Sequence, residues 1–321
     1  MDIIVCTYNR PAKVLELVSD LLVYKSNFSK IIVVDSSDNA NEALEEIDDV
    51  LYVKSNHKNQ PYQRYMGFLN ATSDFLLYLD DDMELVDEQI FNRILKYIKE
   101  VPDLSGIAIN FKDKHFNSTL NEMPKSIIFS NSGRMRRAVK WLTGIPEIPN
   151  GHLGFCGNRG AQPAQGGRTQ WVSGGAFLAK KSIMFQNFNF QMFDIFEKRL
   201  GMGEDAIIGF GLSQRGMLIF DPVISFLHND QRDSSYSLDI YTYARRVMYS
   251  RLYISLEIQR ISSKPQIFGM IHFHYYAFCR IFGALINLVA SFKKKNLLYL
   301  SGMLSGYFLT YGYKYKYKEQ D

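Results

Sequence analysis

The stretch Leu76-Leu77-Tyr78-Leu79-Asp80-Asp81-Asp82-Met83-Glu84 decides the interpretation of this sequence, because an apolar run ends abruptly in three carboxylates. A short apolar run bounded by polar residues is typical of a buried strand. Ligands of open α/β sheets bind at the carboxyl ends of strands, so these acids stand where a ligand is expected. Adjacent carboxylates repel one another unless a cation such as Mg²⁺ or Mn²⁺ neutralises them. An acidic turn that caps a helix is the alternative, and these residues alone do not separate the two.

Two other apolar runs also end in polar residues. Ile3–Thr7 is followed by Tyr8, Asn9 and Arg10, and Ile31–Val34 is followed by Asp35. Tyr8 would stack on a nucleotide base, Asp35 would accept a hydrogen bond from a base N–H, and Arg10 would approach a phosphate. Because the carboxyl ends of parallel strands share one sheet edge, these residues are expected near the three acids.

The first hundred residues alternate short apolar runs with helical periodicity, which is the pattern of βαβ units around a mainly parallel sheet. Strands are predicted at Ile3–Thr7, Ile31–Asp35, Leu51–Lys54 and Phe75–Asp80, and helices at Pro11–Tyr24, Asn41–Ile47 and Pro61–Asn70. Residues 113–170 are rich in Gly, Pro, Asn and Arg and are predicted to form long loops. A buried strand at Trp171–Lys180, a helix at Gly203–Arg215 and a short strand at Met217–Phe220 are predicted next.

The order and spacing of these blocks resemble those of family 2 glycosyltransferases with the GT-A fold. The residues that carry the resemblance are Thr7-Tyr8-Asn9-Arg10, Asp35, Arg64-Tyr65-Met66-Gly67, Asp80-Asp81-Asp82, Trp171–Phe177 and Gly203-Glu204-Asp205. The resemblance implies an α/β fold with a mixed, Rossmann-like sheet of the nucleotide-diphospho-sugar transferase type. It assigns residues 1–235 to a GT-A catalytic domain and leaves residues 236–321 as a C-terminal helical extension.

The resemblance also implies a metal-dependent, hexosyltransferase-like enzyme that inverts the sugar, with Mg²⁺ or Mn²⁺ as cofactor. Asp205 would be the catalytic base, Glu204 and Trp171 would lie on the acceptor side, and Asp80, Asp82 and His228 would hold the metal. The residues expected to bind the donor, a UDP- or dTDP-sugar, are Thr7, Tyr8, Asn9, Arg10, Asp35, Arg64, Asp80, Asp81, Gly174 and Gly175.

The C-terminal region is basic and apolar. No Asp or Glu occurs between Ile258 and Lys318, although the whole chain has a net charge of only +4. Two apolar stretches, Ile267–Phe292 and Asn296–Tyr313, flank Lys293-Lys294-Lys295. This composition favours a helix in the interface of an anionic bilayer. The expected location is therefore cytoplasmic and peripheral on the inner face of the cell membrane. Two helices packed on each other and on the catalytic domain would give the same pattern.

The segment Tyr243–Arg251 and the Gly302–Gly306 spacing resemble those of membrane-proximal glycosyltransferases of bacterial surface-polysaccharide biosynthesis. This resemblance implies a lipid-linked or surface-polysaccharide glycan as the acceptor. Three cysteines without a CxxC spacing indicate neither a disulfide framework nor a zinc site. No nucleic-acid partner is expected, because the tail has no RNA-binding motif. The alternatives are a catalytically inactive carbohydrate- or membrane-binding protein and a sugar-nucleotide pyrophosphorylase. The absence of a glycine-rich loop after the first strand disfavours the pyrophosphorylase. A homo-oligomer is left open.

Overall fold

The computed structural model describes residues 1–87, 89–113, 141–186, 188–228 and 239–317. Within these ranges, nine strands form one mixed sheet in the order β3-β2-β1-β4-β8-β6-β9-β5, with the short β7 also paired to β9. The strands are β1 (Asp2–Thr7), β2 (Ile31–Asp35), β3 (Val50–Lys54), β4 (Phe75–Asp80), β5 (Met83–Leu85), β6 (Leu104–Asp113), β7 (Gly167–Arg168), β8 (Ala176–Lys180) and β9 (Met217–His228).

The helices of the first 213 residues cover both faces of the sheet, as alternating βα units require. They are α1 (Pro11–Leu22), α2 (Glu42–Glu45), α3 (Gln60–Asn70), α4 (Gln89–Glu100), α5 (Lys181–Met184), α6 (Gln191–Glu197) and α7 (Glu204–Ser213). Three longer helices follow: α8 (Ile240–Ile261), α9 (Gln266–Ala290) and α10 (Lys294–Leu309). The α/β class and the mixed sheet with C-terminal helices are as expected from the sequence.

Neighbouring side chains of β1 enter two different hydrophobic cores, because successive residues of a strand point to opposite faces. Ile3 packs in a cluster with Val14 of α1 and Phe91 of α4, whereas Ile4 packs in a cluster with residues of α7 and α8. Gly67 permits the close approach of α3 to β1, since a Cβ at this position would lie 2.4 Å from Cγ2 of Ile4.

Two predicted strands differ in extent from those observed. The run Trp171–Lys180 is a strand only from Ala176, because its first residues form a glycine turn. The strand at Met217–Phe220 instead continues to His228. Asp221-Pro222 has the composition of a turn, but the chain bulges here and pairing with β6 resumes at Ser225. Long loops are predicted over residues 113–170, and residues 114–140 of this range lie outside the described residues.

The C-terminal helices pack against the sheet domain through α8. Tyr253 and Ile254 of α8 belong to the same hydrophobic cluster as Ile207 of α7. Two glycines of α10 lie on the α8 backbone: a Cβ at Gly302 would be 2.3 Å from the Tyr241 carbonyl oxygen, and one at Gly306 would be 2.4 Å from that of Arg245. Small residues at this spacing allow two helices to approach closely.

A buried carboxylate fixes the end of the chain to α8. Glu257 is fully buried. It accepts hydrogen bonds from Asn189 Nδ2 at 2.7 Å, from Arg260 Nη2 at 2.6 Å and from the Tyr315 hydroxyl. The segment after α10 therefore returns to the sheet domain, and Gln191 Nε2 holds it further by donating to the Lys314 carbonyl at 2.7 Å.

We predict that Glu257→Ala lowers the free energy of unfolding by about 3–5 kcal/mol, because it leaves Arg260 and Asn189 without their buried acceptor. The midpoint of urea-induced unfolding measures this loss. Glu46→Ala, at an exposed position, is the control and should change stability by less than about 0.5 kcal/mol. Equal midpoints for the two variants would contradict the assigned role of Glu257.

Candidate functional site

The site lies where three parallel strands end. In the register of the sheet, Thr7 of β1 is opposite Asp35 of β2, and Cys6 is opposite Asp80 of β4. The structure thus brings Thr7, Asp35 and Asp80 to one edge, as the sequence predicts. The β1–α1 loop also joins the end of β2, because the backbone N–H of Asn9 donates to the Ser37 hydroxyl at 2.6 Å.

Asp81 is engaged within the protein. Its carboxylate accepts hydrogen bonds from the Thr7 hydroxyl at 2.7 Å and from Arg10 Nη1 at 3.0 Å. Arg10 Nη1 also donates to Asp82 Oδ2 at 2.9 Å. Arg10 therefore neutralises part of the acidic turn and fixes its conformation. Direct donor contacts by Thr7, Arg10 and Asp81 stay predictions.

The side chains of Asp82 and His228 lie close together in the site. Asp82 Oδ1 is buried without a hydrogen bond and lies 3.6 Å from His228 Nε2. Burial disfavours the charged carboxylate, but the nearby His228 ring and Arg10 outweigh burial and lower the pKa of Asp82. Pairing of β5 with β9 produces this proximity, since Met83 is opposite His228. A carboxylate oxygen and an imidazole nitrogen are ligands that a divalent cation accepts.

Asp80 faces a different set of partners. Its carboxylate accepts a hydrogen bond from Gln60 Nε2 at 2.9 Å and lies 3.6 Å from Arg64 Nη2. Burial, with repulsion from Asp82 and Asp81, outweighs the attraction of Arg64 and raises the pKa of Asp80 to about 7. Among the described residues, no three His, Cys, Asp or Glu side chains form a group that could hold a metal ion. Asp82 and His228 lie close enough together to be considered as ligands of one cation, and a metal site formed by Asp80, Asp82 and His228 stays a prediction.

Arg64 joins the acidic turn to the start of α7. Its side chain is only 1% exposed, and its guanidinium donates to Glu204 Oε1 at 2.8 Å and to the Gly174 carbonyl at 2.7 Å. Burial raises the pKa of Glu204 even though Arg64 opposes the shift. Arg64 therefore lies in the interior and links parts of the site, and its contact with the donor stays a prediction.

Asp205 lies in the first turn of α7. Gly203 precedes it with φ of +81°, a left-handed conformation that favours glycine, and so allows the sharp entry into the helix. The Asp205 carboxylate accepts hydrogen bonds from the Gly174 N–H at 3.0 Å and from Arg159 Nη2 at 2.5 Å. The Arg159 guanidinium also lies over the Trp171 ring, 5.1 Å from its centroid. The acceptor-side candidates Trp171 and Glu204 therefore lie close to Asp205.

The glycine turn before β8 brings the acidic turn and α7 together. Gly175 accepts a hydrogen bond from the Asp80 N–H at 2.8 Å, and a Cβ on Gly175 would lie 2.2 Å from Cε of Met83. Gly174 contacts both Arg64 and Asp205 through its backbone. Both predicted glycines thus lie in the site, with a structural reason for the absence of a side chain.

A cavity of about 630 Å³ opens between this site and α8. Asp80, Gly174, Glu204 and Asp205 line it, and α8 contributes Tyr243, Val247, Ser250, Arg251 and Ile254. Its volume falls within the range of roughly 300–1,000 Å³ that is usual for ligand sites. The C-terminal helices therefore form part of the candidate site.

The predicted base-binding residues lie at the β2 side of the edge. Asp35 is buried, and its oxygens accept hydrogen bonds from the Ser37 N–H at 2.7 Å and the Tyr52 hydroxyl at 2.6 Å. Tyr8 is partly exposed, with Lys58 Nζ 5.2 Å from the centroid of its ring. Stacking by Tyr8 and recognition of a base by Asp35 stay predictions.

Three residues of the site were not identified from the sequence. Gln60 and Arg159 contact the predicted acids, and Arg251 lines the cavity while donating to the Cys156 carbonyl. Arg159 is 46 residues away from Asp205 and lies in a loop without periodicity. The sequence gives only a general indication for Arg159, which is that long loops in compact domains are often functional.

Comparison with known proteins agrees with this geometry. The family described as glycosyl transferase family 2 matches residues 2–159. The fold is similar to that of a mannosyltransferase from Pyrobaculum calidifontis, solved with GDP-Man and Mn²⁺, at 12% identity and a TM-score of 0.53 over 96% of this chain and 86% of that one. It is also similar to TarS of S. aureus, at 14% identity and a TM-score of 0.50 over 100% of this chain and 57% of that one. Comparison with curated proteins gave no match.

We predict that Arg64→Met destabilises the protein by about 3–5 kcal/mol, because it leaves the buried Glu204 carboxylate without its cationic partner. Adding Glu204→Gln should recover part of this loss, with a coupling energy of about 1–3 kcal/mol in a double-mutant cycle of unfolding free energies. The exposed pair Lys25 and Asp49, 2.8 Å apart, is the control and should show less than about 1 kcal/mol. Equal coupling in both cycles would contradict the role of Arg64 as the internal link.

Proposed function

We propose that this chain, a member of glycosyl transferase family 2 by its residues 2–159, is an inverting transferase that moves a sugar from a nucleoside-diphosphate sugar to a glycan hydroxyl. One observation carries the proposal: the acidic residue Asp80 and the candidate base Asp205 line the same cavity, and Arg64 and Gly174 connect them. This arrangement supports donor activation and proton removal within reach of one bound acceptor.

The donor would occupy the edge formed by β1, β2 and β4, with its base towards Tyr8 and Asp35 and its diphosphate towards Asp80 and Asp82. A cation bound by Asp82 and His228 would supply positive charge that stabilises the leaving diphosphate. The Mn²⁺ and GDP-Man of the Pyrobaculum enzyme support this choice of cofactor and donor class. Arg10 would hold the acidic turn in place through its contacts with Asp81 and Asp82.

The acceptor would enter the cavity between α7 and α8. An oxygen of Asp205 takes the proton of the acceptor hydroxyl while the hydroxyl oxygen forms a bond to the anomeric carbon. The bond from that carbon to the diphosphate oxygen breaks, and its electron pair leaves with the nucleoside diphosphate. Attack from the opposite face inverts the anomeric centre. The Gly174 N–H and Arg159 orient the carboxylate for this step.

The proposed acceptor is a lipid-linked or surface-polysaccharide glycan. The wall of the cavity supports an amphipathic sugar, because apolar Ile145, Met202, Val247 and Ile254 alternate with polar Tyr243, Ser250 and Arg251. Sugar rings present both apolar C–H faces and hydroxyl groups, so mixed walls of this kind suit them.

We predict that Asp205→Asn lowers kcat for sugar transfer by at least about 10²-fold, since the amide cannot accept the proton. The nucleoside diphosphate should still bind, because the substitution preserves the size of the side chain. Steady-state transfer and calorimetric titration of the nucleotide measure the two effects. Asp48→Asn, at an exposed position, is the control. Wild-type kcat in Asp205→Asn would contradict its role as base.

We predict that a nucleoside diphosphate raises the melting temperature only when Mn²⁺ or Mg²⁺ is present, because a cation held by Asp82 would offset the negative charge of the diphosphate. Asp82→Ala should abolish this stabilisation, and Asp48→Ala should retain it. Thermal shift with UDP, dTDP and GDP, each with and without the cation, measures the effect. Absence of a shift with every nucleotide and cation would contradict the proposed donor site.

A further inference from the structure

We propose that the outer face of α9 docks in the interfacial layer of a bilayer that contains anionic phospholipids. This inference goes beyond the proposed reaction and does not depend on it. We call this face the α9 surface and define it by the exposed side chains Ile267, Ile271, Phe278, Phe282, Leu285 and Val289.

The α9 surface is apolar along most of the helix and is interrupted only by the exposed His274, which lies between Ile271 and Phe278. Its six residues follow one another at steps of three, four or seven, which places them on one side of an α-helix. Phe278 is 70% exposed and Val289 is 79% exposed. Phe292, just after the helix, and Leu297 and Phe308 of α10 add further exposed apolar side chains. Soluble monomers rarely expose a continuous apolar patch of this extent, so a partner is expected to cover it.

The opposite face of α9 is packed against the protein. Phe273, Tyr276, Ala277, Ala284 and Leu288 are buried in a cluster shared with α8 and α10. By length and composition α9 is able to cross a membrane, and 33% of its apolar window is buried. Because its inner face is buried against the other C-terminal helices from Gly269 to Leu288, the geometry favours a helix lying in the membrane plane over one that spans the bilayer.

The positive charges around the α9 surface favour anionic lipid as its partner. From Ile258 to Tyr317 the chain contains no acidic residue, and the exposed lysines are Lys264, Lys293, Lys294, Lys295, Lys314 and Lys316. Clustered lysines next to an amphipathic helix favour an anionic leaflet. A second copy of this chain would bring the same cations against one another. The charge pattern therefore favours lipid over a homodimer.

The α9 surface adjoins the loop that forms one wall of the cavity. The Phe155 ring stacks on His272 of α9 at a centroid distance of 3.9 Å, and the Tyr275 hydroxyl donates to the Trp141 carbonyl. Trp141 is 61% exposed and Phe155 is 53% exposed. Trp at the rim of an apolar surface is typical of the membrane interface. Four residues after Phe155, Arg159 contacts Asp205, so docking would bring the candidate site close to the lipid headgroups.

The test is sedimentation of the full chain with vesicles, without nucleotide or sugar. We expect binding to vesicles of phosphatidylcholine with phosphatidylglycerol, and much weaker binding to phosphatidylcholine alone. The double variant Phe278→Ser/Phe282→Ser should weaken binding by at least about tenfold, because it removes two of the largest apolar groups of the surface. The matched control Val23→Ser/Leu69→Ser changes two exposed apolar residues outside α9 and should bind normally. Lys293→Glu/Lys294→Glu/Lys295→Glu should remove the preference for phosphatidylglycerol.

The inference is overturned if the wild-type chain stays in the supernatant with both vesicle types, or if Phe278→Ser/Phe282→Ser sediments like the wild type. It is also overturned if light scattering shows a dimer that this variant converts to a monomer while no vesicle binding occurs, since a second copy then covers the surface. Release of bound protein by alkaline carbonate is expected for an in-plane helix, and resistance to it would contradict that orientation. Thermal unfolding of each variant verifies that it is folded.

Discussion

The interior ion pair between Arg64 and Glu204 is the interaction on which the site depends. Arg64 lies on α3 and Glu204 on α7, so the pair ties together two helices that are 140 positions apart in the chain. A guanidinium so deeply buried is stable only when nearby carboxylates balance its charge and most of its N–H groups donate hydrogen bonds. Glu204, the Gly174 carbonyl and the nearby Asp80 provide them. Their positions are consequently fixed relative to one another.

The pair of Arg64 and Glu204 connects the residues proposed to bind the donor with the residue proposed to remove the acceptor proton. Gly174 accepts from Arg64 through its carbonyl and donates to Asp205 through its N–H, so a single residue connects the candidate base with the buried guanidinium. On the other side, Asp80 is held by Gln60 and by the backbone of Gly175. Rigid support of this kind keeps reacting groups in a productive geometry. The core that α8 shares with the sheet domain holds this helix where it completes the cavity.

Local patterns in the sequence predict the fold because strand and helix periodicities are read over a few residues. They place Thr7, Asp35 and Asp80 at one edge, which the register confirms. Local patterns do not predict the extent of a strand that depends on pairing with distant strands. Asp221-Pro222 has the pattern of a turn, yet β9 continues because β5 and β6 pair with its second half. Similarly, the family resemblance assigns Arg64 to the donor site, but its contacts with Glu204 and Gly174 depend on tertiary packing that no local pattern shows. Arg159 has no local pattern that connects it with Asp205.

The central claim is that Asp205 removes a proton while the acceptor attacks the face of the sugar opposite the diphosphate. The most direct measurement is the anomeric configuration of the first product, followed by proton NMR during the reaction with a donor of known configuration. The proposed mechanism predicts a product of inverted configuration from the earliest time points. A product that retains the configuration of the donor would contradict the account, because it requires a different course of bond formation at the anomeric carbon.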